Sequence, residues 1–332
     1  MSFDLKNLKS DYGNVPAEVT ACRTSAALFD FSFMFSAQVF GRGSLDVIAQ
    51  LTDRNLHDME PGKIRYALSY SELGYLRSDL TIWRVSLDNF LVMSGLCADI
   101  EDLIKYSQNN KDCYVEDLSE KITIYAVQGP ESLKVLNGLV DDKKLSSIPY
   151  FSFAEFNFNK LPFLIGRLGY TGERGFEIIL PVENGSEVWQ SLSNKACLCG
   201  FSAMDRLRIE AGFILFANEF QLPVSANEVS LQNFTQKVSS PPRYRLICFR
   251  AETDEEMNSW RSSEDFSPPL PGYISVTSAC HQNVEGVSLG MGFVLINEIG
   301  ELVDPLGCFR KLVEVNKPFF DPTKMRPRGN WT

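Results

Sequence analysis

Three short runs carry side chains whose types and spacing suit chemistry. In the run from Gly166 to Glu177 (GRLGYTGERGFE), three glycines and a threonine make a tight turn between two alternating apolar stretches. Strand–turn–strand is the wrong frame for a dinucleotide phosphate loop, which needs a helix after the turn. Tyr170 and Glu177 flank the turn and can face one pocket. There a carboxylate accepts a bidentate N–H pair from an amidine-like heterocycle. The plainer alternative is a hairpin with an exposed glutamate. The second run is MDRLRIEAG, residues 204–212. On a helix, Asp205 and Arg208 are i,i+3 and Arg206 and Glu210 are i,i+4, the spacings of ion pairs, with surface pairs as the plainer alternative. In the third, YLRSDLTI (75–82), strand alternation puts Asp79 on one side with Arg77 and Thr81, opposite Leu80 and Ile82. Asp is depleted in strands, so one in mid-strand needs a reason, if only a solvated edge.

What the chain lacks narrows the chemistry further. It has only two histidines, His57 and His281, in 332 residues. A His-rich zinc site is excluded, and no metal is expected. Acid–base work falls to carboxylates or to the substrate itself. The balance of 32 Lys+Arg against 42 Asp+Glu, net −10, repels phosphate backbones and anionic lipid, so neither nucleic acid nor membrane is an expected partner. No apolar run is long enough for a transmembrane helix. The N-terminal MSFDLKNLKSDYGNVP has no basic region followed by an apolar core, so no secretory signal is expected. Eight dispersed cysteines without a CxxC pair read as free thiols of a cytoplasmic protein.

The elements that must position these runs alternate between helix and strand without regular βαβ punctuation, which predicts an α+β class. Helices are expected over 15–30, from 44, over 99–109, and over SAMDRLRIEAGFIL. Strands are expected over 31–41, 64–71, 75–95 with a hairpin at 86–89, 150–158, 161–170 and 175–181. From about 240 the pattern becomes all strand, a small barrel-like unit, with the acidic, Pro-rich 252–271 as an exposed loop. At about 150 residues per domain the length allows two or three domains.

Taken in order, LFDFS (28–32), GKIRYAL through GYLRSDLTI (62–82), AVQGPES (126–132), GRLGYTGERGFEIILP (166–181), DRLRIEAG (205–212) and PFFDPTKMRPR (318–328) resemble the aminomethyltransferase family. That family comprises the T-protein of the glycine cleavage system and its folate-dependent relatives. The GYLRSDLTI segment is more similar to the folate domain of dimethylglycine and sarcosine dehydrogenases, without their flavin domain. T-proteins usually carry two adjacent aspartates where this chain has Ser78-Asp79. The Lys-Gly-Cys-Tyr signature of the iron–sulfur-assisting branch is missing.

The resemblance implies a three-domain cloverleaf of the T-protein type. The first α+β domain would span 1–38 and 137–222, the second 39–136 and 223–240, and a C-terminal β-barrel-like domain 241–332. It implies tetrahydrofolate as cofactor. Asp79 matches the family's essential aspartate beside the reactive folate nitrogens. Glu177 and Arg208 match the pair that holds the pterin ring, and Tyr66 and Tyr170 match aromatic residues packing the pterin or aminobenzoate. The implied activity moves a one-carbon unit from a small methylated or aminomethyl donor to tetrahydrofolate, in a monomer. Two alternatives stay open: a T-protein acting on a lipoyl carrier protein, and a non-catalytic folate-binding regulatory protein. Three stretches depart from the family pattern and leave the donor open: Phe216-Ala217-Asn218-Glu219, Ser225-Ala226-Asn227-Glu228 and Thr277-Ser278-Ala279-Cys280-His281-Gln282.

Overall fold

The computed structural model describes residues 8–158, 160–237, 241–253, 260–261, 266–281, 287–316 and 319–329. Its strands form three sheets. The first has six strands in the order β11 (Cys197–Leu198), β1 (Ala27–Asp30), β7 (Ile122–Gln128), β10 (Gly175–Pro181), β9 (Leu161–Gly166) and β8 (Phe153–Phe158). The second runs β3 (Ile64–Tyr70), β4 (Leu76–Ser86), β5 (Asn89–Ser94), β2 (Phe35–Phe40) and β6 (Tyr114–Asp117). The third, from the C-terminal part, runs β13 (Trp260–Arg261), β14 (Ser275–His281), β15 (Val287–Leu295), β12 (Tyr244–Glu252) and β16 (Arg310–Val315). The α+β class and the strand-built C-terminal unit are as the sequence pattern predicts.

Sheet membership divides the chain differently from the expected domain limits. β7 pairs with β1 and β10 in the first sheet, although the expected limits group residues 122–128 with the second unit. β2 lies wholly in the second sheet and spans the expected cut at 38.

The helices follow local signals. In α1 (Val15–Thr24) the Asn14 side chain accepts from the Ala17 N–H and a proline stands in the first turn. The helix stops six residues before its expected end because Ala27–Asp30 pairs with β7 as a strand. Leu28 and Phe29 are both buried, one on each face of that strand, a demand no solvent-facing helix end meets. α2 (Ser44–Leu51) and α3 (Cys97–Ser107) cover one face of the second sheet, where Val47, Ile48, Leu51, Ile100 and Leu103 pack on Leu80 and Ile82. The short α4 (Ser132–Leu136), α5 (Asp142–Ser146) and the longer α6 (Gly185–Ser193) belong to the first unit. α7 (Phe201–Glu210) is shorter than its pattern, and a separate turn, α8 (Phe216–Glu219), follows it. α9 (Met325–Arg328) closes the described chain.

Half of the 252–271 loop lies outside the described residues, as do residues 1–7, Gln282 and Pro318 of the sequence motifs. None of the eight cysteines is in a disulfide. Among the described residues no helix is long and apolar enough to cross a membrane.

The free face of the second sheet meets the other two units. Ile64 and Trp83 pack into a core with Phe29, Leu168 and Leu207. Further along, Leu68 and Leu76 pack with Val224, Cys248, Met291 and Phe293. The strand segment between these contacts, around Thr81 and Asp79, therefore lies where all three units converge.

Candidate functional site

Asp79 sits on β4, which pairs with β3 on one side and β5 on the other. The solvated-edge alternative thus does not hold. Alternation places Asp79 with Thr81 and Trp83 on the face toward the first sheet. Arg77 does not share that face. The register between β3 and β4 shifts just there, from Ser69↔Ser78 to Tyr70↔Leu76, leaving Arg77 as the extra residue of a bulge. The bulge turns Arg77 and Ser78 together toward α3. Arg77 reaches Asp99 at 2.5 Å and Asp102 at 2.7 Å. The fully buried Asp99 also accepts from Ser69 at 3.0 Å, from Ser94 at 2.5 Å and from Ser78. This network braces β4 from behind and removes the neighbouring cation from Asp79. Burial, opposed by a hydrogen bond from Tyr66 and aided by Asp99 and Glu219, raises the Asp79 carboxyl to about 6. The Tyr66 phenol is itself pushed well up, by burial first and then by Asp79.

Glu177 lies on β10, directly opposite Ala126 and Gly166. It is 8% exposed, so the exposed-hairpin alternative does not hold either. Residues directly opposite in an antiparallel pair share a face. A Cβ on Gly166 would meet the Trp83 ring, with Ile64 Cδ1 2.9 Å away. Glu177 therefore projects from the face that meets Trp83, and Trp83 shares its own face with Asp79. Trp83 is oriented by its Nε1–H donating to Thr81 Oγ1 at 3.2 Å. Among the described residues no hydrogen bond or ion pair reaches the Glu177 carboxylate, and burial alone raises it to about 7.

The glycines between β9 and β10 have a specific cause. The buried Gln128 side chain donates to the Leu168 carbonyl at 3.2 Å and accepts from Thr171 at 3.0 Å. It fills the space where side chains at Gly169 and Gly175 would stand, while Gly172 has φ +77°. The turn so held presents Tyr170, which stacks on Phe213 at 5.9 Å and 10° and donates to the Ile214 carbonyl.

The turn is fastened from outside as well. Glu173 receives Arg326 at 2.9 Å and Arg23 at 3.3 Å. Arg23 also bonds Glu210 at 2.7 Å and lies 3.8 Å from the Phe320 ring. Arg167 donates to the Pro327 and Gly329 carbonyls, at 3.2 and 2.5 Å.

The i,i+3 pair of Asp205 and Arg208 forms at 2.9 Å, with both side chains 0% exposed, buried where the spacing alone allowed a surface pair. Arg208 also reaches Glu219 at 3.0 Å, the Phe213 carbonyl at 3.2 Å and Ser278 Oγ at 2.7 Å. Four of its five N–H groups are thereby engaged. Burial lowers its pKa, but Glu219 and Asp205 outweigh that and hold it up. Glu219 in turn accepts from Leu215 N at 2.6 Å, Thr277 Oγ1 at 2.8 Å and Ser278 Oγ at 2.5 Å. Asn218 donates to Ser278 at 2.9 Å. Two of the three departures from the family pattern, 216–219 and 277–278, therefore meet each other around Arg208. No sequence spacing announces this, since the two stretches are nearly sixty residues apart.

Asp79, Tyr66, Tyr170 and Arg208 thus belong to one electrostatic neighbourhood, since Tyr170 senses Arg208, Asp79, Glu219 and Asp205 once burial has raised it. Glu177 enters from the first sheet across Trp83. The GCVT N-terminal domain family matches residues 7–239. The chain belongs to the GCVT aminomethyltransferase family. The aminomethyltransferase of Prosthecochloris aestuarii is 30% identical over 233 residues, covering 68% of this chain and 64% of its own length. That of Thermotoga maritima is 32% identical over 228 residues, covering 66% of this chain and 62% of its own. The chain therefore matches somewhat under two thirds of these relatives' length. The solved glycine cleavage system aminomethyltransferase T from Bartonella henselae superposes with a TM-score of 0.73 at 22% identity, over 87% of this chain and 84% of that one. That likeness gives the T-protein type of fold.

Proposed function

We propose that this GCVT family member is a tetrahydrofolate-dependent one-carbon transferase, moving a C1 unit from a small methylated or aminomethyl donor to a folate nitrogen. The observation that carries the reading is the pair of carboxylates without a cation, Asp79 and Glu177, raised to about 6 and about 7 on facing sheets. Buried carboxylates left uncompensated at such a cost mark functional sites. Glu177 suits the N–H edge of a pterin, which would supply the donors it lacks. Arg208 braces that end through Phe213 and Tyr170. The two tyrosines offer ring faces to the pterin or aminobenzoate.

Asp79 would stand at the reacting nitrogen. As the new N–C bond forms, the Asp79 carboxylate takes the proton leaving that nitrogen, while the donor's heteroatom departs with its bonding electron pair. Positioning of two bound reactants supplies much of the rate. Folate contributes its own nucleophile, so this chain's residues bind, orient and move one proton. We also propose that it works as a monomer in the cytoplasm, with the three units as separate domains.

A second reading, transfer from an aminomethyl group on a lipoyl carrier, is favoured by the relatives named aminomethyltransferase. The net charge of −10 weighs against docking an acidic carrier. A purely binding role would have no use for an uncompensated Asp79.

Calorimetric titration of tetrahydrofolate into wild type and Glu177→Ala tests the pterin assignment, and equal affinities would sink it. A panel of methylated amines, sulfonium compounds and an aminomethyl-lipoyl carrier then identifies the donor. Full turnover by Asp79→Asn on the working donor would refute the proton role.

A further inference from the structure

Two phenols stand near Asp79, and their hydrogen bonds separate them. The Tyr170 hydroxyl donates to the Ile214 carbonyl, so its proton is committed to the backbone after α7. The Tyr66 hydroxyl faces the Asp79 carboxylate and favours its charged form. Register explains the contact. Tyr66 is opposite Thr81 and Leu68 is opposite Asp79, so Tyr66 and Asp79 are diagonal neighbours on one face, within reach of a long aromatic side chain. Phe234 meets the Tyr66 ring edge-on at 5.0 Å and 74°, which limits its swing.

We infer that Tyr66 is a positioning residue for Asp79, aiming the carboxylate and holding it in the ionised form before any ligand arrives. The inference rests on the reading that Asp79 receives the proton from folate nitrogen. The other charged groups around Asp79 cannot do this work. Asp99 of α3 and Glu219 of α8 repel its charge. Arg77 on β4 is bound to Asp99 and Asp102, and Arg208 of α7 is bound to Asp205 and Glu219. Only the Tyr66 phenol and the Asp79 backbone amide oppose burial and repulsion. A carboxylate that must accept a proton has to be empty at working pH, and a hydrogen bond to its charged form keeps it so. Tyr66 thereby does more than offer a flat ring to folate.

The test is Tyr66→Phe, which keeps the ring against Phe234 and deletes only the hydroxyl. Protein labelled with carboxyl-13C aspartate is titrated without folate, the Asp79 signal being assigned by its loss in Asp79→Asn. The Asp79 midpoint is expected to rise by about one to two pH units, the size of one hydrogen bond to a charged group. The acid limb of the transfer rate should move with it. An unchanged midpoint overturns the proposal. A shifted midpoint together with full turnover by Asp79→Asn upholds the positioning and removes the catalytic reading instead. A second measurement uses no Tyr66 variant. In ζ-13C tyrosine-labelled wild type, the Tyr66 signal should show the Asp79 titration and lose it in Asp79→Asn. Its absence in wild type would equally overturn the proposal.

Discussion

Glu177 and Gly166 stand directly opposite one another on β10 and β9, and the Trp83 ring lies where Gly166 has no side chain. The bare glycine lets the second sheet approach the first closely enough for Glu177 and Asp79 to share one cleft. Gly166→Ala would drive a methyl group into a fully buried indole. Overpacking of this kind costs about 1–3 kcal/mol. Thermal unfolding should report it, and tetrahydrofolate affinity should fall in the same variant as Trp83 is displaced from Thr81.

Glu177→Gln should stabilise the ligand-free protein at neutral and higher pH while weakening folate binding. The folded-state value, about 7, lies above the ordinary 4.5. The native state therefore holds this proton more tightly than the unfolded chain, and that advantage is lost as pH rises from 4.5 through 7. By the linkage relation the loss amounts to up to about 3 kcal/mol. Glutamine does not titrate, so denaturation curves of the two proteins should diverge across that window. Parallel curves would show that Glu177 is compensated in solution.

The Asp79 carboxyl lies at about 6 against an ordinary 3.8, and the proposed step needs it ionised. Transfer at saturating folate should rise with pH and reach half its plateau near 6. Burial is the principal cause of the shift, so added salt should move the midpoint little. A rate flat from pH 5 to 7 would contradict this.

Arg208→Met should be the most destabilising single change in the site. It strands Asp205 and Glu219, both 0% exposed, without their cation, at a cost of about 3–5 kcal/mol. The double variant Arg208→Met, Glu219→Gln should recover part of that loss. Urea midpoints of both variants measure it.

The turn from Gly166 to Glu177 and the pairing of Asp205 with Arg208 were legible in the sequence because each is local. Glycine spacing and helical periodicity act over a few residues. Their burial was not legible, since it depends on three units meeting. The bulge that turns Arg77 away from Asp79 breaks the alternation on which the sequence reading relied. α1 ends before its sequence pattern does because pairing of Ala27–Asp30 with β7 overrides helical preference. Ser278 stands in a stretch that departs from the family pattern, but its partners Arg208 and Glu219 are not legible there because they come from another part of the chain.

Residues 320–329 fasten the turn that carries Tyr170 through Arg326 on Glu173, Phe320 on Arg23 and two carbonyls on Arg167. During synthesis, Glu177 and Tyr170 leave the ribosome about 150 residues before those fasteners, and emergence at 5–20 residues per second makes that an interval of roughly eight to thirty seconds. Through that interval the turn is held by Gln128, its own Thr171 and Arg23, joined by Phe213 and Ile214 once they emerge, but lacks Arg326 on Glu173 and the carbonyls on Arg167. Folate should therefore be unable to act as a template for early folding, and a nascent chain stalled before Phe320 should bind it far more weakly than the released protein.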